Sequence, residues 1–196
     1  MVTLIERPCA EPSDALLPHN LLRVRRERGL TLNELSERSR VSRAMISKIE
    51  RGVAVPTATV LGKLSAALEV GLSQLLGSAR SREPVLLPEI EQAIYRDPES
   101  GLERRSLSPV FPDRSVDFVL NTLPPGGRVA FPGHHHGVEE YLFVRRGRLV
   151  VMTDDQRHEV NEGCTLFYPA HMVHEFHNET TEMVEFFIVV DDTRTH

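Results

Sequence analysis

Residues 31–52 read TLNELSERSRVSRAMISKIERG, and two short helices with a tight turn between them are written into this stretch. Thr31, with Glu34 three residues on, is the reciprocal pair that satisfies the first free N–H groups of a helix. Ser42 repeats the opening signal, and Gly52 offers the left-handed residue that closes the second helix at no steric cost. Only Arg40 and Val41 remain to make the turn. At about 100° per residue, Ile46 and Ile49 share one face of the second helix, while Arg43, Ala44, Ser47, Lys48 and Arg51 gather on the opposite one. One face is core, and the other presents donors and charge.

Working outward, a helix from about Asn20 to Arg28 stops at Gly29. Pro56 suits the opening of a fourth helix with Val60, Leu61, Leu64 and Leu68 as its apolar stripe, and Leu72, Leu75 and Leu76 make a short fifth. Four or five helices therefore fill an all-α part over residues 19–76. Charge sets it apart: residues 18–77 carry +5, residues 89–196 carry −9, and the whole chain of 196 residues carries −5. Two short helices in a basic segment, the second presenting Arg, Ser and Lys, describe a helix-turn-helix reader of double-stranded DNA.

The stretch from Arg25 to Leu76 resembles the helix-turn-helix domain of the phage-repressor and xenobiotic-response-element family. The resemblance implies that Ser42, Arg43, Ala44, Ser47 and Lys48 enter the major groove and that Arg25 pairs with Glu50 as a structural ion pair. Leu32 and Asn33 stand where the family often places a polar reader. Arg43 is the best candidate for a base contact, since a guanidinium fork takes O6 and N7 of guanine together, while Lys48 and Arg51 suit phosphates.

From Pro88 onward the apolar period changes from 3.6 to 2. Strand candidates cover Val116 to Leu123, Glu140 to Val144, Leu149 to Met152, Thr165 to Tyr168, His174 to His177 and Met183 to Val190, with turns at Pro124-Pro125-Gly126-Gly127, Arg146-Gly147, Asp154-Asp155 and Asn161-Glu162-Gly163. Short strands at this spacing predict an all-β antiparallel barrel or jelly roll over residues 89–196. The chain thus reads as an α + β two-domain protein, with a Pro-containing lead-in over residues 1–18 and a small, polar linker over residues 77–88 that separates the two cores.

Six of the nine histidines fall in two clusters, His134-His135-His136 and His171-His174-His177. His134 and His136 have the same parity on a strand, Glu140 keeps it, and His174 comes from a separate strand. Three imidazoles and one carboxylate suit a divalent zinc, iron, manganese or nickel ion. His135, His171 and His177 read as groups behind the ligands or on the surface.

The same residues resemble the two cupin motifs, which lie within residues 127–178. HHHGVEEYLFVRRG places them on His134, His136, Glu140 and Gly147, and GCTLFYPAHMVHEFHN on Gly163, Pro169, His174 and Asn178. His171 stands where a glycine is common, and the glycine opening the first motif is one residue too far away. Tyr141, Phe143, Phe167 and Tyr168 flank the ligands on either parity.

A helix-turn-helix followed by a cupin resembles a bacterial architecture in which the cupin senses a small molecule. That resemblance implies a transcriptional regulator whose cupin binds a metal, a small-molecule effector or both, with operator binding modulated in response. One such reader covers a half-site, so a homodimer on an inverted-repeat operator is expected. The alternative is a mononuclear metal enzyme of epoxidase or oxygenase type, with His136, Glu140 and His174 as its facial triad. No membrane span or signal peptide is legible, and two cysteines, Cys9 and Cys164, match no CxxC spacing, which points to the cytoplasm.

Overall fold

The computed structural model describes residues 16–77, 84–111 and 116–193. Most of the expected lead-in (residues 1–15) and half of the expected linker (residues 78–83) lie outside the described residues. Five helices come first: α1 (Leu16–Glu27), α2 (Leu32–Ser39), α3 (Arg43–Glu50), α4 (Ala58–Leu68) and α5 (Leu72–Leu76). The caps marked in the sequence form. Thr31 Oγ1 accepts from Glu34 N at 3.2 Å while Glu34 Oε2 accepts from Thr31 N at 2.7 Å, and Ser42 Oγ accepts from Met45 N at 3.3 Å. Two starts differ. α1 begins at Leu16 because Pro18 is tolerated in a first turn, where its missing N–H has no helical partner to lose. α4 is capped by Thr57, whose Oγ1 accepts from Val60 N at 3.3 Å, with Pro56 standing just before it.

Among the described residues the β part has ten strands: β1 (Ile94–Arg96), β2 (Glu103–Ser106), β3 (Val116–Leu123), β4 (Arg128–Phe131), β5 (Glu139–Arg146), β6 (Arg148–Thr153), β7 (Gln156–Asn161), β8 (Thr165–Pro169), β9 (His174–His177) and β10 (Val184–Asp191). They form two antiparallel sheets, ordered β1-β2-β3-β10-β5-β8 and β4-β9-β6-β7. Alternation sends Val119, Leu142, Val144, Phe186 and Ile188 of the larger sheet inward, where Phe186 meets Phe176 of the smaller one at 5.3 Å between ring centres. The opposite parity leaves Phe118, Tyr141, Phe143 and Phe167 exposed on the outer face of the larger sheet.

The two cores are not separated as the polar linker suggests. Helical Leu61, Leu64 and Leu68 and Phe131, Val138 and Phe176 of the β part belong to one continuous apolar cluster. Polar contacts tie the same seam: Thr59 Oγ1 donates to Ala130 O at 2.9 Å, Tyr95 Oη donates to Pro56 O at 2.8 Å, and Asp97 Oδ1 accepts from Ala58 N at 2.8 Å. Asp97 of the β part therefore holds a free N–H at the start of α4. Burial would raise its carboxyl, but hydrogen bonds from the Ser100 hydroxyl and from the N–H groups of Ala58 and Ser100 outweigh that and hold it below the usual range. A depressed carboxyl contributes its stability above the unfolded-state value of about 3.9, and loses it as pH falls through the folded value. Asp97→Ala is expected to cost about 2 kcal/mol at neutral pH, read by urea denaturation, and to narrow the stability gap to wild type on acidification below about pH 4. A gap that widens toward acid contradicts this account of the seam.

Candidate functional site

Helix α3 is held from behind. Ile46 and Ile49 are fully buried, and Arg25 on α1 clamps the end of α3 by donating from Nε to Glu50 Oε1 at 2.6 Å and from Nη2 to Glu50 Oε2 at 2.9 Å. Hydrogen bonding to Glu50 raises the Arg25 guanidinium further above its ordinary value, so the charge is permanent. The turn is closed by Arg40 in the left-handed region (φ 57°) and by Ser36 Oγ donating to Val41 O at 2.7 Å. What remains outward is Ser42, Arg43, Ala44, Lys48 and Arg51, all exposed, with Ser47 half-buried among them. Arg51 Nε lies back on Ser47 O at 3.1 Å, at the end of the helix.

The second site lies inside the barrel. Across the larger sheet, register aligns Asp117, Val190, Glu140 and Tyr168 in one inward-facing row. His134 Nε2 lies 3.2 Å and His174 Nε2 lies 3.6 Å from Glu140 Oε1. Tyr168 donates its hydroxyl to the other oxygen, Oε2, which leaves Oε1 facing both rings. Burial would raise the Glu140 carboxyl, but the charge of His174 and the hydrogen bond and charge of His134 win and bring it down to about 2. It is an anion throughout the physiological range. Burial and the neighbouring Glu140 push Tyr168 well above its ordinary value, so it stays a phenol that donates.

This donor set fits a divalent ion. One atom from each of His134, Glu140 and His174 can be chosen so that all lie within 4.8 Å of one another. His174 Nδ1 faces Met172 O at 3.1 Å and donates there, so in the neutral ring, the form that binds a metal, the lone pair is on Nε2. Two imidazole nitrogens and a carboxylate oxygen are compatible with zinc, iron, manganese or nickel.

Comparison with known proteins agrees with both halves. Residues 21–75 match the family model described as helix-turn-helix, and residues 119–190 match the one described as cupin domain. The HTH-type transcriptional regulator SutR of Escherichia coli (strain K12) is 26% identical over 91% of this chain and 96% of its own. An uncharacterized HTH-type transcriptional regulator, y4dJ of Sinorhizobium fredii (strain NBRC 101917 / NGR234), is 41% identical over 31% of this chain and 79% of its own. This chain is a helix-turn-helix transcriptional regulator with a cupin domain. Among solved structures, an HTH_3 family transcriptional regulator from Vibrio cholerae superposes with a TM-score of 0.76 at 27% identity, covering 92% of this chain and 97% of that one.

In this regulator the four expected ligands do not all converge. His134, Glu140 and His174 do, but His136 is exposed and its ring stacks on His171 at 4.6 Å. Strand parity does not hold here, because residues 132–138 form a loop between β4 and β5 that turns through Gly137 at φ 100°. His135 pairs with Asp192 at 3.1 Å and His177 with Glu175 at 2.7 Å rather than with Glu140.

The cavity holding the triad is lined from both halves of the chain. Val138, Glu140, His174 and Ile188 come from the barrel, while Gly62, Ser65, Ala66 and the turn Glu69–Leu72 come from α4 and the start of α5. Neither this shared wall nor the buried Arg104 and Asp117 in it was anticipated. β2 is four residues long, too short for alternation to mark which of its two arginines faces inward.

Proposed function

We propose that this regulator binds an inverted-repeat operator as a homodimer through the outward residues of α3, and that its cupin cavity takes a small-molecule effector that changes operator affinity. Within the cavity, His134, Glu140 and His174 would hold a divalent ion, leaving positions on it for water or the effector. His136 is left out of the set because its ring is turned to His171. The observation that carries the reading is the shared wall. A ligand that touches α4 and the turn before α5 while seated in the barrel has contacts that differ between arrangements of the two halves, and only such a difference shifts an equilibrium. Gly62 makes the packing there close: a Cβ at this position would come 2.8 Å from Cδ of Pro132, two residues before His134.

Dimerisation has a suitable surface in the outer face of the larger sheet, where Tyr141 packs on Phe167 at 5.1 Å and Phe118 stacks on Phe187 at 5.6 Å. The reading puts the protein in the cytoplasm beside its operator; no helix among the described residues is long and apolar enough to cross a membrane. The enzyme alternative is less favoured, because the curated relative that spans nearly the whole chain is a regulator.

Operator titration by fluorescence anisotropy tests the reading. Arg43→Ala is expected to cost about 1–3 kcal/mol and to relax the preference at one base pair, if its fork reads a guanine edge. Lys48→Ala should weaken binding evenly across sequences and reduce the salt slope by about one counterion. Equal affinity of the wild-type protein for promoter DNA and random duplex overturns the proposal.

A further inference from the structure

Arg104, on β2, is 5% exposed and lines the cavity, yet its Nε has no hydrogen-bond partner. Its nearest carboxylate is Asp117, with Nη2 at 3.7 Å from Oδ2, beyond hydrogen-bonding reach. That oxygen is already engaged, accepting from Ser73 N at 3.2 Å. Directly opposite Arg104 in the β2–β3 register stands Asn121, also buried, whose Nδ2 is likewise without a partner. Buried donors are nearly always satisfied in folded proteins. Here two adjacent strands offer an unsatisfied guanidinium N–H and an unsatisfied amide N–H side by side on the inner face of the sheet.

We infer that the ligand of this cavity is a small monocarboxylic acid with an apolar body, its carboxylate held by Arg104. A carboxylate supplies the planar acceptor edge that a guanidinium fork matches. The body then meets Val138, Ile188, Val190 and Phe131, the apolar part of the lining. A dianion such as phosphate is disfavoured, since Asp117, Glu140, Glu69 and Asp192 share the same cavity and repel a second negative charge. A neutral amide of the same shape offers the guanidinium fork one acceptor oxygen where a carboxylate offers two. The inference rests on the effector reading above and names the chemical class that reading leaves open. It also says what the ligand disturbs: Asp117 joins Arg104 to the backbone of α5, so an acid that takes the guanidinium changes the surroundings of the seam between the two halves.

The test uses the full chain with isobutyrate and benzoate, their amides isobutyramide and benzamide, and inorganic phosphate. Binding is followed by thermal shift and by the Arg104 Nε–H resonance in nitrogen-15 spectra. At least one acid is expected to raise Tm saturably, to bind roughly tenfold tighter than its amide, and to move the Nε–H resonance. Arg104→Gln should erase the difference between acid and amide, and Arg104→Lys, which keeps the charge without the fork, should retain only part of it. If either variant fails to fold, the wild-type resonance decides alone. Amides that bind as well as acids, phosphate that binds more tightly than both, or an Nε–H resonance unmoved by either acid up to about 10 mM overturns the inference. Operator titration in the presence of the same probes separates the two readings. An acid that binds through Arg104 but leaves operator affinity unchanged removes the effector reading alone, and an amide that binds equally and does change it removes only the carboxylate.

Discussion

Glu50→Ala is expected to lower the free energy of unfolding by about 3 kcal/mol and to reduce operator binding with it. The Arg25 and Glu50 side chains are 11% and 8% exposed, and their two parallel hydrogen bonds, at 2.6 and 2.9 Å, leave little for water to replace. Removing the carboxylate strands a guanidinium whose one other contact is Nη1 to Leu30 O at 2.8 Å. The penalty is that of an uncompensated buried charge, which exceeds the net worth of the pair itself. Because the pair joins α1 to the end of α3, the loss also frees the reading helix to tilt. A surface pair calibrates the effect: Glu27→Ala removes the partner of Arg23, but these side chains are 41% and 58% exposed, so it should cost only a few tenths of a kcal/mol. Urea denaturation of the two variants is the measurement. Equal costs for Glu50→Ala and Glu27→Ala contradict this account.

The helical half was readable because its signals are local. Thr31 with Glu34, Ser42 and Gly52 each act within a turn of their own position, and the capping distances follow from residue type and spacing alone. The ion pair of Arg25 with Glu50 spans 25 residues, so no local rule reaches it, and it came from resemblance to the family. In the barrel, strands with clear alternation such as β3, β5 and β10 were legible. β1, β2, β4 and β7 were not, being three to six residues long or largely polar, so they show no period of two that survives counting.

The site divides in the same way. His134, Glu140 and His174 carry a recognisable spacing, but the exclusion of His136 depends on the loop at 132–138 and on His171 waiting to stack with it. Tyr168 was visible as an aromatic beside the ligands, and only the register of β5 with β8, which sets it opposite Glu140, shows that it faces inward. The shared wall is the least local feature of all. Nothing in a polar linker reveals that Gly62 and Pro132, 70 residues apart, are in contact, because that contact belongs to the docking of two finished units.

Gly133→Ala should have the largest effect of any single methyl added to this protein. A Cβ at Gly133 would lie 2.1 Å from His171 O, 2.6 Å from its carbonyl carbon and 3.0 Å from the carbonyl carbon of Met172, and all three are backbone atoms that no rotamer change can clear. Relief requires the two segments to part by at least about 1 Å. They are tied where the methyl intrudes: His134 N donates to Ala170 O at 2.8 Å, and Ala170 N to Val138 O at 2.9 Å. Each segment leads into a ligand, His134 on one side and His174 on the other, so parting them pulls both imidazoles off Glu140. The cost is expected to be on the order of 4 kcal/mol, with the proposed metal uptake lost as well, since a ligand set tolerates about 0.5 Å of displacement. Gly163→Ala is the control. Its φ is +77° and nothing lies within 4 Å of the added Cβ, so it should cost only the left-handed strain of about 1 kcal/mol and leave uptake intact. Thermal melting and elemental analysis after loading with zinc and dialysis distinguish the two. A Gly133→Ala protein that melts with wild type and retains one zinc per chain would show that the two segments can separate without disturbing the triad.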